Sequence, residues 1–234
     1  MRDKTPVAAR VDAASLAAEI GEELSRHASA PVPELRRMRR SFSRRLRDAP
    51  ARAVIGAALR LSRVPRRGCR FVAYELIQNH PGAASLLDAR RLERLGRGMA
   101  SWDAVDCFSV FLSGPAWRRR TVPDGAILSW ARSADRWWRR AALVSTVPLN
   151  SRAHGGGGDV RRTLRICRIL EADRDPMVTK ALSWALRELA KRDPGAVRGF
   201  LAERSGALAA LVRREVRNKL ETGVKNPEKR RSAR

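Results

Sequence analysis

Hydrophobic positions recur at helical spacing almost throughout the chain, and no convincing alternating stretch marks a β-strand. A first candidate helix runs from Val11 to Arg26, ahead of the break Ala30-Pro31-Val32-Pro33. Glu34 to Arg47 follows, with Leu35, Met38, Phe42 and Leu46 on its apolar side. Residues 52–63 and 68–79 read as a helical pair before the turn Asn79-His80-Pro81-Gly82. Val105, Phe108 and Leu112 form the apolar stripe of a helix that Ser101 can cap. Ala141, Ala142, Val144 and Ser145 line the inner side of a helix over Asp135 to Val147, and Val178, Ala181, Leu182, Ala185 and Leu189 that of the helix after Asp175. A last helix covers Ala207 to Leu220. Asp175-Pro176 and Asp193-Pro194 each set a capping acid before a proline, which suits the first helical position because the N–H it lacks would have no partner there. Short helices joined by Pro- or Gly-bearing turns predict an all-α fold, a HEAT-like helical-repeat solenoid of irregular period whose curvature leaves a concave face that suits a long duplex. Residues 1–30 are expected to be a helical appendage or partly disordered arm and 31–222 the repeat domain. Residues 223–234, with Lys225, Lys229, Arg230, Arg231 and Arg234, are expected to be a basic tail.

Charge changes the picture most. Of 234 residues, 49 are Lys or Arg against 24 Asp or Glu, a formal net charge of +25. Such an excess calls for a polyanionic partner, nucleic acid ahead of membrane, and arginine forks match phosphate oxygens bidentately. No apolar run is long enough to cross a bilayer and Met1 to Ala30 has no secretory core, so a cytoplasmic location is expected. Cys69, Cys107 and Cys167 are widely spaced among apolar residues and read as core thiols; His27, His80 and His154 lack metal-ligand spacing. No metal or cofactor is expected, and the protein is expected to act as a monomer. Gly155 to Gly158 has neither a following Lys-Ser/Thr nor a preceding strand, so it reads as a flexible connector and not a phosphate loop. Leu95-Gly96-Arg97-Gly98 admits two readings, glycine caps at a helix end or the hairpin of a helix-hairpin-helix DNA-binding element.

The candidate chemistry lies on three helices. Trp102 and Asp106, four residues apart, project from one face, away from the apolar stripe. Arg136 and Arg140 share a face with Trp137 nearby. Trp184 falls off its helix's apolar stripe and lines up with Lys180, Arg187, Glu188 and Lys191, where an indole can meet sugars, bases and phosphates or pack on a neighbouring repeat. Asp106 itself can serve chemistry or merely pair with one of the many arginines. Arg213, Arg214, Arg217 and Lys219 add charge on the last helix.

Ser101-Trp102-Asp103-Ala104-Val105-Asp106, Trp138-Arg139-Arg140-Ala141-Ala142 and Lys180-Ala181-Leu182-Ser183-Trp184-Ala185-Leu186-Arg187-Glu188 together resemble the AlkD-type DNA alkylation repair family, over roughly Leu35 to Lys219. The resemblance implies a HEAT-like DNA glycosylase that removes cationic N-alkylated purines from double-stranded DNA, without flipping the damaged base into a pocket. It implies that Asp106, Trp102 and Trp184 line the lesion site and that Arg140 contacts the DNA backbone in the same cleft. Arg136, Trp137, Arg37, Lys180, Arg187, Arg213 and Arg214 are the further expected DNA contacts. One departure stands out. Near Arg36-Arg37-Met38 members of the family tend to carry a tyrosine that completes an aromatic cradle, and Arg37 stands there. An arginine repels a cationic base or binds a phosphate. Two other functions remain open: a non-catalytic relative that binds branched or distorted DNA, and a helical scaffold for an acidic protein.

Overall fold

The structure is a computed structural model that describes residues 12–27, 29–66 and 68–227. All regular elements among these residues are helical. The described residues form two compact units that meet in sequence between Leu86 and Leu87.

In the first unit, α1 (Ala13–Arg26) is capped by Asp12, whose carboxylate accepts from the Ala14 and Ser15 N–H groups. Leu16, Ala17, Ile20 and Leu24 bury its apolar face, and α1 packs on α3 (Ala51–Leu61), which in turn packs on α4 (Cys69–Asn79). The segment expected to be an appendage thus contributes to the core of this unit. The expectations for residues 1–11 lie outside the described residues. Between α1 and α3 in the chain comes α2 (Val32–Arg45), which begins inside the proline break: Pro31 takes the cap position and Pro33 the first turn, where missing N–H groups cost nothing. Leu35 and Phe42 are buried on α2, as is Leu46 after it, while Met38 is only half-buried.

The second unit opens with α5 (Ala89–Gly96) and continues through α6 (Trp102–Phe108), a π-helical turn (Ser109–Ser113) and α7 (Gly114–Arg118). Then come α8 (Asp124–Ala131), α9 (Arg136–Val144), α10 (Val147–Asn150) and α11 (Val160–Leu170). It closes with α12 (Pro176–Leu189), α13 (Pro194–Arg204) and α14 (Ala210–Thr222). Asp175 and Asp193 cap α12 and α13 as expected, with Pro176 and Pro194 in the first turn. Helix α6 packs on α9, α9 on α12, and α12 on α14, one row running through the unit. The starts of these four helices, residues 102, 136, 176 and 210, lie at unequal intervals, which is why the repeat is hard to see in the sequence.

Two glycine stretches acquire a definite role. Gly96 has no side chain because a Cβ there would stand 2.6 Å from Cη2 of Trp138, and Gly98 takes a left-handed conformation at the end of the helix (φ 74°). These are the cap and close-approach uses of glycine. The Gly155–Gly158 stretch is not a loose connector. The Gly156 N–H donates to the Ser151 carbonyl (2.8 Å) and that of Gly158 to the Leu149 carbonyl (3.0 Å), while the guanidinium of Arg118 donates to the Gly155 carbonyl (2.5 Å). A Cβ on Gly156 would lie 2.5 Å from the Pro148 carbonyl oxygen, so the backbones touch.

The cysteines differ among themselves. Cys69 and Cys167 are fully buried and burial pushes both thiols up, whereas Cys107 is half-buried. Among the described residues no helix is long and apolar enough to cross a membrane.

The Gly156 contact predicts that Gly156→Ala lowers stability by about 1–3 kcal/mol, the usual cost of forcing atoms into an occupied site. Gly157→Ala, where nothing lies within 4 Å of a Cβ, should leave the urea midpoint nearly unchanged. Equal midpoints for the two variants would return this stretch to the status of a loose connector.

Candidate active site

The site is built by a close approach of α6 and α9. Ser109 and Ser113, in the π-helical turn, and Gly114 after it present little bulk to the α9 side. Ser113 Oγ lies 2.6 Å from Ser145 Oγ, Ser109 Oγ donates to the Ala141 carbonyl (3.4 Å), and a Cβ on Gly114 would lie 2.8 Å from the Ser145 carbonyl oxygen. A π-turn inserts one extra residue into the helical ladder, and such turns recur at functional sites. Here it lets the small residues face α9 just beyond Asp106.

The other side of α9 is fixed by aromatics. The Trp138 ring lies 4.8 Å from that of Trp130, tilted by 48°, and meets Phe108 edge-on at 5.9 Å, pairs each worth about 0.5–1.5 kcal/mol beyond their buried area. Asp135 caps the helix by accepting from the Trp137 N–H (2.8 Å). With α9 held on that side, Arg140 is directed toward α6 and α12. Its Nε donates to Asp106 Oδ1 (2.9 Å), its Nη2 to Oδ2 (2.8 Å), and its Nη1 to the Met177 carbonyl (2.6 Å). The fork is therefore bidentate on Asp106 and reaches a third helix.

Arg140, expected to contact the DNA backbone, is thus paired within the protein. Its side chain is only 7% exposed and three of its five N–H donors go to protein acceptors, so it bridges the helices from within. The reason is the partner: a carboxylate withdrawn to 18% exposure needs a paired charge, and the nearest is Arg140. Burial pushes the Asp106 carboxyl up; Arg140 opposes this by hydrogen bonding and charge, Asp103 adds to it by repulsion, and the balance remains above the ordinary aspartate value of 3.8.

Around the pair, Trp102 begins α6 one turn before Asp106 and is 58% exposed. Ser101 holds the cap position of α6 without a side-chain hydrogen bond to it. On α9, the Arg136 guanidinium sits over the Trp137 ring at 4.9 Å and lies 3.4 Å from Asp175, whose carboxyl is held low. For Asp175, burial is the largest single influence and acts upward, but hydrogen bonds from the Met177 and Val178 N–H groups and from Arg136 outweigh it together. Lys180 lies on α12 and Arg214 on α14, two further helices of the row. Lys180 and Arg214 are exposed, and Trp184, one turn after Lys180, is half-buried.

Two other expected contacts have partners within the protein. Arg187 Nε donates to Ser183 Oγ (3.2 Å), and the group is held near Glu215, so it too is partly internal. Arg213 donates to the Ser205 carbonyl (2.7 Å). Arg37 is exposed on α2, in the first unit. Lys229, Arg230, Arg231 and Arg234 lie outside the described residues.

Sequence reasoning misses Glu215. It is buried, accepts from Ser183 Oγ (2.6 Å) and pairs with Lys225 (3.1 Å), tying the start of the tail to α14. The visible signal is an acid between Val212 and Val216 on the apolar side of an arginine-rich helix. Among the described residues no cluster of three His, Cys, Asp or Glu could hold a metal.

An all-helical protein with a carboxylate–arginine pair set in a row of cation-bearing helices is the class that fold and site define. The family model for the DNA alkylation repair enzyme matches residues 12–220, so the chain belongs to that family. A solved structure, the "Predicted DNA alkylation repair enzyme from Enterococcus faecalis", is similar in fold, with a TM-score of 0.67 at 17% identity over 95% of this chain and 99% of that one. Among curated proteins nothing matches significantly.

Removing the guanidinium should expose the cost of the unpaired acid. Arg140→Ala is expected to lose about 2–4 kcal/mol, slightly below the range for breaking a fully buried pair because Asp106 keeps some solvent contact. The loss should shrink as pH falls. A carboxyl whose folded pKa is raised above its unfolded value destabilises the fold as pH climbs through that window and stops doing so once it is protonated. Urea denaturation of Arg140→Ala at neutral and acidic pH reads this directly, and a loss independent of pH would mean that Asp106 is not the group left unpaired.

Proposed function

We propose that the protein is a monofunctional DNA glycosylase that hydrolyses the N-glycosidic bond of cationic N-alkylated purines, of the 3-methyladenine and 7-methylguanine type, in double-stranded DNA. The observation that carries the reading is the withdrawn Asp106 carboxylate, fixed by Arg140 one turn from the exposed Trp102.

The chemistry demands little acid catalysis. An N-alkylated purine is already positively charged, and when the C1′–N bond breaks the electron pair leaves with the base and neutralises it. The deoxyribose is left with oxocarbenium character, as in other glycoside hydrolyses. A fixed anion beside C1′ favours that charge, and it can take the proton of the water that adds there. An ionised carboxylate offers about four acceptor sites. Arg140 uses two of Asp106's, so the remaining ones stay open to a water or the sugar. Trp102 and Trp184 would hold sugar and base through cation–π and apolar contacts. Lys180 and Arg214, exposed on the same row, would meet phosphates, as would Arg136 and Trp137 beside the site. Arg140 acts as a positioning residue for Asp106.

One observation favours a second reading. Both Asp106 oxygens are engaged by Arg140, the geometry of an ion pair that only ties α6 to α9. In that case the protein binds branched or distorted DNA without cutting a bond.

Release of methylated bases from alkylated duplex DNA separates the two. The glycosylase predicts release by the wild type and a loss of about 10²–10³-fold in Asp106→Asn, the scale of removing one preorganised charge contact. No release by a folded protein that still binds DNA would establish the second reading.

The ionised form of Asp106 is the working one, so activity should fall on the acid side at a pH above the ordinary aspartate range. Asp103→Asn removes one influence that raises the Asp106 pKa. The acid limb of the single-turnover rate should therefore move to lower pH in that variant.

A further inference from the structure

Three arginines of α9 reach the segment that leads into α12, and they do so unequally. Arg140 donates to the Met177 carbonyl (2.6 Å), and Arg136, 52% exposed, lies 3.4 Å from Asp175. Arg139 stands between them in sequence. Its Nε donates to Asp173 Oδ2 (2.7 Å), and its Nη1 donates to the carbonyls of Ser133 (3.0 Å) and Ala134 (2.7 Å), just before α9. The Arg139 and Asp173 side chains are 21% and 11% exposed, so their pair is largely withdrawn from water and weakly screened.

Asp173 passes this contact on to α12. Its other oxygen, Oδ1, accepts from the Asp175 N–H (2.9 Å), and Asp175 Oδ1 in turn accepts from the N–H groups of Met177 (2.8 Å) and Val178 (3.4 Å). The Thr179 hydroxyl donates to the Asp175 carbonyl (2.9 Å) and closes the same turn. An unbroken run of hydrogen bonds therefore leads from Arg139 to Met177, whose carbonyl takes Nη1 of Arg140. Because Arg139 and Arg140 are neighbours on α9, the run forms a ring that returns to the Asp106 pair.

Helices α9 and α12 also pack on each other, but apolar packing is non-directional and selects no hydrogen-bond register. Directional contacts set where the Met177 carbonyl stands relative to Arg140. Of the two carboxylate contacts between α9 and this segment, that of Arg139 with Asp173 is the shorter and the less exposed. Without the Met177 carbonyl, Arg140 would hold an unsatisfied N–H in a site where it is only 7% exposed. It would turn to regain a partner, and its alignment on Asp106 would change.

We infer that Arg139 and Asp173 are positioning residues for the Asp106–Arg140 pair, holding the start of α12 against α9 so that Arg140 keeps its bidentate alignment on Asp106. Their effect on base release rests on the glycosylase reading above; their effect on the Asp106 carboxyl does not.

The test has two readouts on the full chain: titration of the Asp106 carboxyl by carbon-13 NMR, and the single-turnover rate of base release from methylated duplex at saturating protein. Asp173→Asn opens the ring while leaving an acceptor for the Asp175 N–H. Arg140, less well aligned, then lowers the Asp106 pKa less, and the carboxyl should titrate at higher pH than in the wild type. Asp103, the other charge acting on Asp106, is untouched. The rate should fall by about 10–100-fold, the scale of a reacting group slightly misplaced, with its acid limb moving up alongside the titration. Arg139→Gln breaks the pair from the other side and should shift both readouts the same way. Arg139→Lys, which keeps a cation for Asp173, should shift them less. The control is Asp159→Asn, which breaks a comparably withdrawn pair with Arg162 (2.5 Å) at the start of α11. It should lower the urea midpoint yet leave the Asp106 titration and the rate unchanged. An unchanged Asp106 titration in Asp173→Asn and Arg139→Gln would overturn the positioning role, and so would an equal shift in the control. A shifted titration with base release at the wild-type rate would overturn it too. If the wild type releases no base, the glycosylase reading fails and the titration alone decides.

Discussion

Arg140 is where the second unit is joined. Its guanidinium is bidentate on Asp106 of α6 and donates to the Met177 carbonyl at the start of α12, so one side chain links three successive helices of the row. The link is possible only because α6 and α9 lie very close together, and that closeness rests on small residues: Ser109, Ser113 and Gly114 against Ala141 and Ser145. Bulk at any of these positions would part the helices and strand a charge on each side. Breaking such a pair is far more damaging than never having had one, since a withdrawn carboxylate without its cation bears the desolvation cost alone.

The two faces of α9 divide the work. The Trp138 side packs into aromatic contacts with Trp130 and Phe108, with Gly96 leaving space for the indole. The Arg140 side, held in register by that packing, carries the charge chemistry. A site mounted on packed helices keeps its geometry better than one mounted on loops. In the proposed reaction this matters because the useful property of Asp106 is to be an anion already in place when positive charge develops on the sugar. The raised pKa of its carboxyl reflects the same burial that strengthens its field.

Much of this is legible in the sequence. Apolar spacing locates the helices to within a few residues, and the Asp-Pro caps at 175 and 193 mark two of their starts. Trp102 and Asp106 share a face because they are four residues apart on a helix. The prolines before α2 read as a break although they begin the helix, because a proline in the first turn resembles a stop signal until the helix is seen. Gly155 to Gly158 reads as loose for a similar reason: glycine composition signals freedom, and only the Pro148 backbone beside Gly156 shows that the glycine is there to permit contact.

The sequence by itself determined the class of fold, the excess of positive charge and the short list of residues able to do chemistry, because helical periodicity and charge are local and additive. Tertiary structure decided which charges meet. Asp106 and Arg140 are 34 residues apart, and Ser183 and Glu215 are 32 apart; no local rule pairs them. It also separated the internally paired arginines, Arg140 and Arg187, from exposed ones with no carboxylate partner among the described residues, Arg40 and Arg44. In a chain with 49 Lys and Arg, that partition depends on where the 24 acids fall in space, and position in space is what folding adds.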